Sequence, residues 1–218
     1  MTDISETLGK HYAKLFAEYG PNCNGVDWGA EEKNLFLRYE IMLNLLDSNC
    51  RNKPSLLDVG CGYGGLSDYA RGKGVDVDYT GIDVAGNMIE WAVKNMPNDQ
   101  FLHGDIMDSQ ISASYDYVIC NGILTQKLEI PGLQMDEFCN LLIKKLYSYC
   151  NVGIAFNVMT SKVNYFSNNL YYRNPAEMLS WCLSEISTKI KIDHSYPLFE
   201  YTVYIYRDDR VRNDNAIL

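Results

Sequence analysis

The chain contains 218 residues, of which 47% are hydrophobic and 22% are charged. Neither fraction fits a disordered, collagen-like or membrane-spanning protein, so we expect a soluble globular fold that buries a full core. The formal net charge of −9 opposes binding to phosphodiester backbones, which usually requires clusters of basic residues. The composition therefore argues against nucleic acid and against a membrane as partners.

Cysteine and histidine positions give no pattern of disulfides or metal ligands. The cysteines are Cys23, Cys50, Cys61, Cys120, Cys139, Cys150 and Cys182. Their odd number and the lack of any CxxC pair predict reduced thiols, and the three dispersed histidines do not resemble a zinc site. The N-terminal residues carry acidic and basic side chains throughout, unlike an export signal. We expect a cytoplasmic protein without a bound metal.

Two helices are predicted ahead of the first strand, over residues 1–20 and 31–47, because apolar side chains recur there at helical spacing. The segment between them, YGPNCNGVDWG, is rich in glycine, proline and asparagine and predicts an ordered loop. Trp28 in this loop suits either core packing or contact with a ligand. We interpret residues 1–50 as a helical N-terminal extension or lid.

Strand-like and helical segments alternate from Lys53 onward. The predicted strands are SLLDVG, VDVDYTGID, QFLHGD, YDYVICN and VGIAFNVM. Helices are predicted from about residue 66 to 73, across MIEWAVKNM and through MDEFCNLLIKKLYSYC. This alternation predicts parallel strands joined by right-handed crossovers, and apolar runs such as YVIC fit burial on both faces of a sheet. Residues 51–160 are therefore the predicted α/β core.

The C-terminal part, residues 161–218, departs from this alternation. A helix around AEMLSWCLSEI precedes STKIKIDHSY and EYTVYIYR, and the short link of residues 197–199 requires these two strands to be antiparallel. The prediction is a doubly wound α/β fold: a mostly parallel seven-stranded sheet with an antiparallel C-terminal hairpin and helices on both faces. No repeat or linker interrupts it, so we expect one domain over residues 1–218, as a monomer or homodimer, ending in a solvated tail, RDDRVRNDNAIL.

A glycine-rich loop follows the first strand. Its glycines, Gly60, Gly62, Gly64 and Gly65, let the backbone turn tightly and approach a ligand closely. The same residues satisfy GxGxxG, so the loop alone does not exclude a dinucleotide-binding dehydrogenase. Asp58 separates the alternatives, because an acid two residues before the first glycine is poorly placed for a pyrophosphate but well placed for a cationic aminoacyl group.

With Asp58 included, LLDVGCGYGGL resembles the first motif of class I S-adenosylmethionine-dependent methyltransferases. In that family the strand-end acid and the glycine loop hold the methionyl part of the cofactor. Asp83 closes YTGID about 20 residues beyond the loop, where a carboxylate can accept both ribose hydroxyls of an adenosine. The resemblance implies S-adenosylmethionine as cofactor and S-adenosylhomocysteine as product.

Three further segments are similar to the same family. HGDIMD contains Asp105, which matches an acid that meets the adenine amino group, and an isoleucine that packs on the base. YDYVICNGIL resembles the strand and loop that border the transferable methyl. GVDWGAEEKNLFLRYE is similar to an N-terminal segment in which an arginine binds the cofactor carboxylate; Arg38 either takes this role or is an ordinary exposed helix arginine. The candidate cofactor residues are Trp28, Arg38, Asp58, Gly60, Cys61, Gly62, Asp83, Val84, Asp105, Ile106 and Asn121.

Methyl transfer from a sulfonium is an in-line displacement, so the protein mainly has to align the reactants and exclude water. A hydroxyl acceptor would also need a base worth about 10² to 10⁴ in rate, whereas an amine or thiolate need not. Ligands of open α/β sheets lie beyond the carboxyl ends of the strands, which nominates Asn121 and His194 as catalytic residues. His194 is the candidate base because histidine is the side chain that most readily exchanges a proton near neutral pH, although a role in ordinary hydrogen bonding is the alternative.

Candidate acceptor contacts follow the fifth strand. They are Tyr171, Tyr172, Arg173, Tyr196 and Glu200. Tyrosines suit a polar acceptor such as a sugar, with core packing as the alternative, and Arg173 suits either an acidic group or solvent. The loop after YDYVIC reads NGIL instead of the NPPY-like sequence of many base-modifying enzymes, which again argues against nucleic acid. No close set of acids and amides predicts a magnesium site.

Three functions therefore stand after the sequence alone. The leading one is a methyltransferase acting on a hydroxyl of a sugar-like or other small polar metabolite. An NAD(P)-dependent oxidoreductase is disfavoured by Asp58 and by the terminal hairpin. A non-catalytic regulatory protein that binds S-adenosylmethionine or S-adenosylhomocysteine remains open, because the motifs identify the cofactor and not the acceptor.

Overall fold

The computed structural model describes residues 2–47, 53–109, 111 and 113–208. The helices are α1 (Thr2–Tyr19), α2 (Glu32–Leu43), α3 (Gly65–Gly72), α4 (Gly86–Asn95), α5 (Gly132–Tyr149) and α6 (Pro175–Glu185). The strands are β1 (Ser55–Val59), β2 (Asp78–Asp83), β3 (Gln100–His103), β4 (Tyr115–Cys120), β5 (Cys150–Thr160), β6 (Tyr172–Arg173), β7 (Ile190–Asp193) and β8 (Glu200–Tyr206). Cys50 and residues 209–218 of the predicted tail lie outside the described residues.

The strands form one sheet in the order β3-β2-β1-β4-β5-β8-β7, with β6 beside β5. All pairs are parallel except β5 with β8 and β7 with β8, which are antiparallel. The predicted doubly wound sheet with a C-terminal antiparallel hairpin is thus confirmed. The sequence missed β6, because two residues are too few to show a strand pattern and their pairing with β5 is a tertiary contact.

Alternate residues of the central strands enter two separate hydrophobic clusters, as expected for a sheet covered on both faces. In β1, Leu57 and Val59 join a cluster with residues of α1, α5 and α6, whereas Leu56 joins a cluster with residues of α2, α3 and α4. Tyr204 of β8 is fully buried in the second cluster. Helices therefore pack on both faces of the sheet, and a ligand can approach at the carboxyl ends of its strands.

Helix α1 docks on α4 beside these strand ends. The Asn87 side chain donates a hydrogen bond of 2.8 Å to the carbonyl oxygen of Ala13, and the Phe16 ring packs edge-on against Trp91. At Gly9 an added Cβ would lie 2.7 Å from Cγ2 of Val84, so the helix backbone approaches the end of β2 closely. The N-terminal extension is thereby held against the strand ends.

The predicted helix over residues 31–47 ends at Leu43, because residues 44–46 form turns instead. The first two residues of the predicted tail, Arg207 and Asp208, are packed and not solvated. The Arg207 guanidinium donates to the carbonyl oxygens of Cys150 and Tyr147, at 2.8 and 2.6 Å, which packs the start of the tail on β5. Within the described residues the cysteines are buried free thiols, and none of the helices has the length and apolar character needed to cross a membrane.

Candidate functional site

The chain reverses its direction of travel across the sheet between β1 and β4, and open α/β sheets bind ligands at such a point. A cleft lies there, lined by the glycine loop, the ends of β2 and β4 and part of α1. Ten predicted cofactor residues line it: Trp28, Asp58, Gly60, Cys61, Gly62, Asp83, Val84, Asp105, Ile106 and Asn121. Helix α1 contributes lining residues that the sequence did not indicate: Ser5, Leu8, Gly9 and Tyr12.

The glycine loop carries the turn from β1 into α3. Gly60 has φ +77°, a conformation that residues with a Cβ rarely adopt, and an added Cβ would lie 2.7 Å from the Ile123 side chain. The backbone N–H of Gly60 donates to the carbonyl oxygen of Ile82 at 2.8 Å. The loop is therefore tied to the end of β2 while its backbone faces the cleft.

Asp58 is the most unusual group in the cleft. Its Oδ2 accepts a hydrogen bond of 2.7 Å from the Tyr79 hydroxyl, while Oδ1 is buried without a partner among the described residues. Burial raises the pKa of Asp58 to about 7, the charge of Asp83 adds to this, and the Tyr79 hydrogen bond opposes it. A buried carboxylate oxygen without a donor is costly unless a cation or donor meets it, so this atom fits a ligand ammonium.

Asp83 joins the glycine loop to the turn after β2. Its Oδ2 accepts from the N–H of Gly62 and its Oδ1 from the N–H of Ala85, both at 2.8 Å. Burial raises the pKa of Asp83, and these backbone donors oppose the shift. Each carboxylate oxygen keeps a free lone pair, so the side chain can also accept two hydroxyls of a ribose.

Asp105 and Ile106 follow β3 at the far end of the cleft. Oδ1 of Asp105 accepts from the N–H of Met107 at 2.9 Å, which holds the carboxylate at the start of a turn. Ile106 is buried and apolar beside it. A hydrogen-bond acceptor next to an apolar side chain suits a base that carries an amino group.

Arg38 does not line the cleft, and it is not an exposed helix arginine as the sequence allowed. It is buried, and its guanidinium pairs with Glu200 while stacking on the Trp28 ring, with Cζ 3.9 Å from the ring centroid. Glu200, a predicted acceptor contact, is 1% exposed and also lies outside the cleft lining. Arg38 and Glu200 therefore pair with each other, and Trp28 lines the cleft in front of them.

The two predicted catalytic residues occupy different surroundings. Asn121 lines the cleft, and its Oδ1 is buried without a partner among the described residues. His194 is exposed after β7, with its ring edge-on to Tyr201, and does not line the cleft. Tyr196 is half-buried, and its hydroxyl lies 2.9 Å from Oγ1 of Thr202. The structure therefore brings Asn121 and not His194 to the predicted cofactor residues.

Tyr171, Tyr172 and Arg173 lie around β6. The Tyr171 hydroxyl donates to Oδ1 of Asp136 at 2.7 Å, and Arg173 Nη1 donates to both groups at 2.9 and 3.2 Å. Arg173 is thus partnered, and burial raises the pKa of Tyr171. Tyr171 and Tyr172 border a shallower groove with Lys127, outside the main cleft.

A polar network that the sequence did not indicate lies next to Tyr12 and Trp28. This rim network consists of His11, Asp27, Gln126 and Asn169. Oδ2 of Asp27 lies 2.8 Å from Nε2 of His11 and accepts from the Gln126 side chain at 2.8 Å. The Asn169 amide donates to Gln126 at 3.0 Å. Four separate segments of the chain meet in this network. The sequence offered one indication of it, namely that His11 and Asp27 each directly precede an aromatic residue.

Burial is the main cause that raises the pKa of Tyr12, the Asp27 charge adds to it, and a hydrogen bond with the Thr125 side chain opposes it. The phenol is therefore a hydrogen-bond donor at neutral pH. Among the described residues no cluster of three histidine, cysteine, aspartate or glutamate side chains is arranged to hold a metal ion.

Comparison with known proteins agrees with this geometry. Residues 56–143, which contain all but the first residue of β1, the glycine loop and Asp83, match a family described as a methyltransferase domain. A Mycobacterium tuberculosis protein named as a methyltransferase is 29% identical over 162 residues, which cover 72% of this chain and 95% of that protein. A malonyl-[acyl-carrier protein] O-methyltransferase of Acetivibrio thermocellus is 29% identical over 159 residues, 72% of this chain and 49% of that protein.

The magnesium protoporphyrin IX methyltransferase of Synechocystis PCC 6803, crystallised with bound S-adenosylmethionine, has the same fold. The TM-score is 0.61 at 15% identity, with 92% of this chain and 97% of the other covered. This likeness shows the fold, and residues 56–143 in addition match a methyltransferase domain. The relatives' names cite different acceptors or none, so the comparisons leave the acceptor undefined.

Proposed function

We propose that this chain is an S-adenosylmethionine-dependent methyltransferase that methylates a hydroxyl of a small polar metabolite, such as a sugar-like compound. The observation that carries the proposal is the unpartnered Oδ1 of Asp58 in a cleft that also contains Asp83 and Asp105. When bound, the cofactor supplies an electrophilic methyl on a positively charged sulfur. A cleft lined by three acids favours such a cationic ligand.

Each acid has a separate task in this proposal. Asp58 receives the ammonium of the methionyl group, Asp83 the ribose hydroxyls, and Asp105 the adenine amino group with Ile106 against the ring. Asn121, at the carboxyl end of β4, borders the transferable methyl. These assignments divide the cleft from the methionyl end to the base.

A dehydrogenase fits less well. Among the described residues that line the cleft, the ionisable side chains with a charge at neutral pH are acids, and none is lysine or arginine. A pyrophosphate would lie close to these acids without a cation to offset the repulsion. The buried Asp58 below the glycine loop has no task in such a site.

Polar groups around Asn121 and Tyr12, which we call the acceptor side of the cleft, support a hydroxyl acceptor. Tyr12 and Asn121 line the cleft, and the rim network adds amides and the pair formed by His11 and Asp27. If Nε2–H of the imidazole donates to the Asp27 carboxylate, Nδ1 is the nitrogen that takes a proton from a hydroxyl. We therefore propose His11, which lies beside the lining residue Tyr12 and does not itself line the cleft, as a second candidate base; His194 stays a prediction.

We propose that the chain is one domain with three functional parts. Residues 1–50 act as a lid over the cofactor, 51–160 form the cofactor-binding core, and 161–218 supply a substrate loop, a helix and the terminal hairpin of one methyltransferase domain. The docking of α1 on α4 and the contact of Gly9 with Val84 support the first of these assignments.

Calorimetry with S-adenosylmethionine, S-adenosylhomocysteine and NAD tests the cofactor. We expect binding of both adenosyl compounds and none of NAD, and the reverse result would overturn the proposal. Release of S-adenosylhomocysteine is then followed across sugars, sugar phosphates, amines and small phenols. Turnover confined to amines would contradict the hydroxyl assignment. A blank panel from a chain that binds the cofactor would favour the non-catalytic binding protein.

A further inference from the structure

Five residues from five segments of the chain make a closed ring of contacts behind the cleft. They are Trp28 in the loop before α2, Arg38 in α2, Gly122 after β4, Asn157 in β5 and Glu200 in β8. Only Trp28 and Gly122 among them line the cleft. The other three are buried behind this wall.

The buried side of the ring is a chain of short polar contacts. The Arg38 guanidinium donates to both carboxylate oxygens of Glu200, at 3.0 Å from Nε and 2.9 Å from Nη2. The Asn157 amide donates to Oε1 of Glu200 at 3.1 Å, and its own Oδ1 accepts from the N–H of Gly122 at 2.8 Å. Glu200 is thereby connected to the backbone of the cleft wall.

Trp28 closes the ring. The Arg38 guanidinium carbon lies 3.9 Å from the indole centroid, within the range of a cation–π contact. Gly122 has φ +107°, and an added Cβ would lie 2.7 Å from Cζ2 of the same indole. The indole therefore contacts both the ion pair and the glycine, and moving one member of the ring displaces its neighbours.

Arg38 and Glu200 are engaged by other protein groups and do not contact the cleft directly. Nη1 of Arg38 donates to the carbonyl oxygen of Asn34, and the other contacts of the guanidinium are to Glu200 and Trp28. The side chains of Arg38 and Glu200 are 10% and 1% exposed. Buried ion pairs contribute weakly to net stability, and their best attested role is to specify one arrangement of the groups around them.

We propose that Arg38 and Glu200 are positioning residues of the cofactor site, which act on the ligand through Trp28 and Gly122 and do not touch it. This inference rests on the proposed function, because it assumes that the cleft binds the adenosyl cofactor. It differs from a direct contact between an arginine and the cofactor carboxylate. A ligand that has no carboxylate distinguishes the two arrangements, because only a positioning role predicts that Arg38 variants bind it more weakly.

A double-mutant cycle tests whether Glu200 acts through Trp28. Glu200→Gln keeps the shape of the side chain but removes its charge, and Trp28→Ala removes the indole. We expect each change to weaken S-adenosylhomocysteine binding about 5- to 30-fold by calorimetry, and the double variant to be no weaker than Trp28→Ala alone. Losses that multiply in the double variant would overturn the inference, because independent effects are additive in free energy.

A second comparison separates positioning from direct contact. Arg38→Met is titrated with S-adenosylhomocysteine and with its decarboxylated analogue. Positioning predicts an equal fold-loss for both ligands, because Trp28 is displaced in either case. A loss for S-adenosylhomocysteine with unchanged binding of the analogue would show direct contact and would contradict the proposal.

Glu185→Gln is the matched control, since it neutralises the exposed glutamate that pairs with Lys144 at 2.8 Å far from the ring. It should bind S-adenosylhomocysteine like the unmodified chain. If Glu200→Gln does not fold, Asn157→Ala replaces it in the same cycle with Trp28→Ala. An unmodified chain that binds neither adenosyl compound would sink the proposed function, whereas normal binding with an additive cycle would sink only the positioning role.

Discussion

The two sides of the cleft are assembled in different ways. The side at β1 and β2 comes from short contiguous stretches, in which Asp58 precedes the glycine loop and Asp83 bonds to Gly62 across two adjacent parallel strands. The acceptor side comes from distant stretches, and the rim network joins α1 to residues after β4 and before β6. Local motifs therefore specify the first side, while tertiary packing specifies the second.

Replacement of Asp83 by alanine should have the largest effect on the contiguous side. It removes the proposed acceptor of two ribose hydroxyls and the bonds to Gly62 and Ala85. Hydrogen bonds to a charged group contribute about 1.5–3 kcal/mol each, so we expect S-adenosylmethionine affinity to fall at least about 100-fold in calorimetry. Asp76→Ala, at an exposed ion pair with Lys53, is the control. Normal binding by Asp83→Ala would refute the ribose assignment.

Replacement of His11 by glutamine tests the distant side. A base contributes about 10² to 10⁴ in rate, so we expect at least a 100-fold loss of turnover for a hydroxyl acceptor found in the panel, with cofactor binding preserved. His194→Gln is the matched variant, because neither histidine lines the cleft but only His11 belongs to the rim network, whereas His194 is exposed after β7. A large loss in His194→Gln with normal turnover in His11→Gln would restore the base predicted from the sequence.

The contrast between the sides explains which expectations the sequence could support. Asp58 and the glycine loop were recognisable because a strand, a turn and a helix follow one another within a few residues. Arg38 and Glu200 are 162 residues apart, and no local pattern reveals that they pair. The hairpin of β7 and β8 was predictable from its short link, but the pairing that made β6 a strand was not.

Replacement of Gly122 by alanine tests the point where the two sides meet. The new Cβ would lie 2.7 Å from the Trp28 ring, and alanine would be strained at φ +107°. Backbone strain of this kind costs about 1–3 kcal/mol, so both the unfolding free energy in urea and the affinity for S-adenosylhomocysteine should fall. Gly72→Ala is the control, because nothing beyond its chain neighbours and its own helix backbone lies within 4 Å of its added Cβ. Equal behaviour of the two variants would mean that the wall tolerates displacement of Trp28.

The smallest effect is a dependence of cofactor binding on pH. Burial raises the pKa of Asp58 to about 7, so the carboxyl of the free protein is increasingly protonated below that pH. The cofactor ammonium requires the carboxylate, and the proton must leave on binding. Affinity for S-adenosylmethionine should therefore fall as the pH drops from 8 to 5.5, approaching about tenfold per unit below 7.

Asp58→Asn should bind more weakly at pH 8 and lose this dependence, because its side chain does not titrate. Folding stability should follow the opposite course in the unmodified chain. Between the ordinary aspartate pKa of about 3.9 and about 7, the folded protein holds a proton that the unfolded chain releases, so this contribution to stability falls as the pH rises. A flat affinity profile together with a flat stability contribution would show that Asp58 stays ionised throughout this pH range, whereas binding by Asp58→Asn at pH 8 as tight as that of the unmodified chain would refute the ammonium assignment.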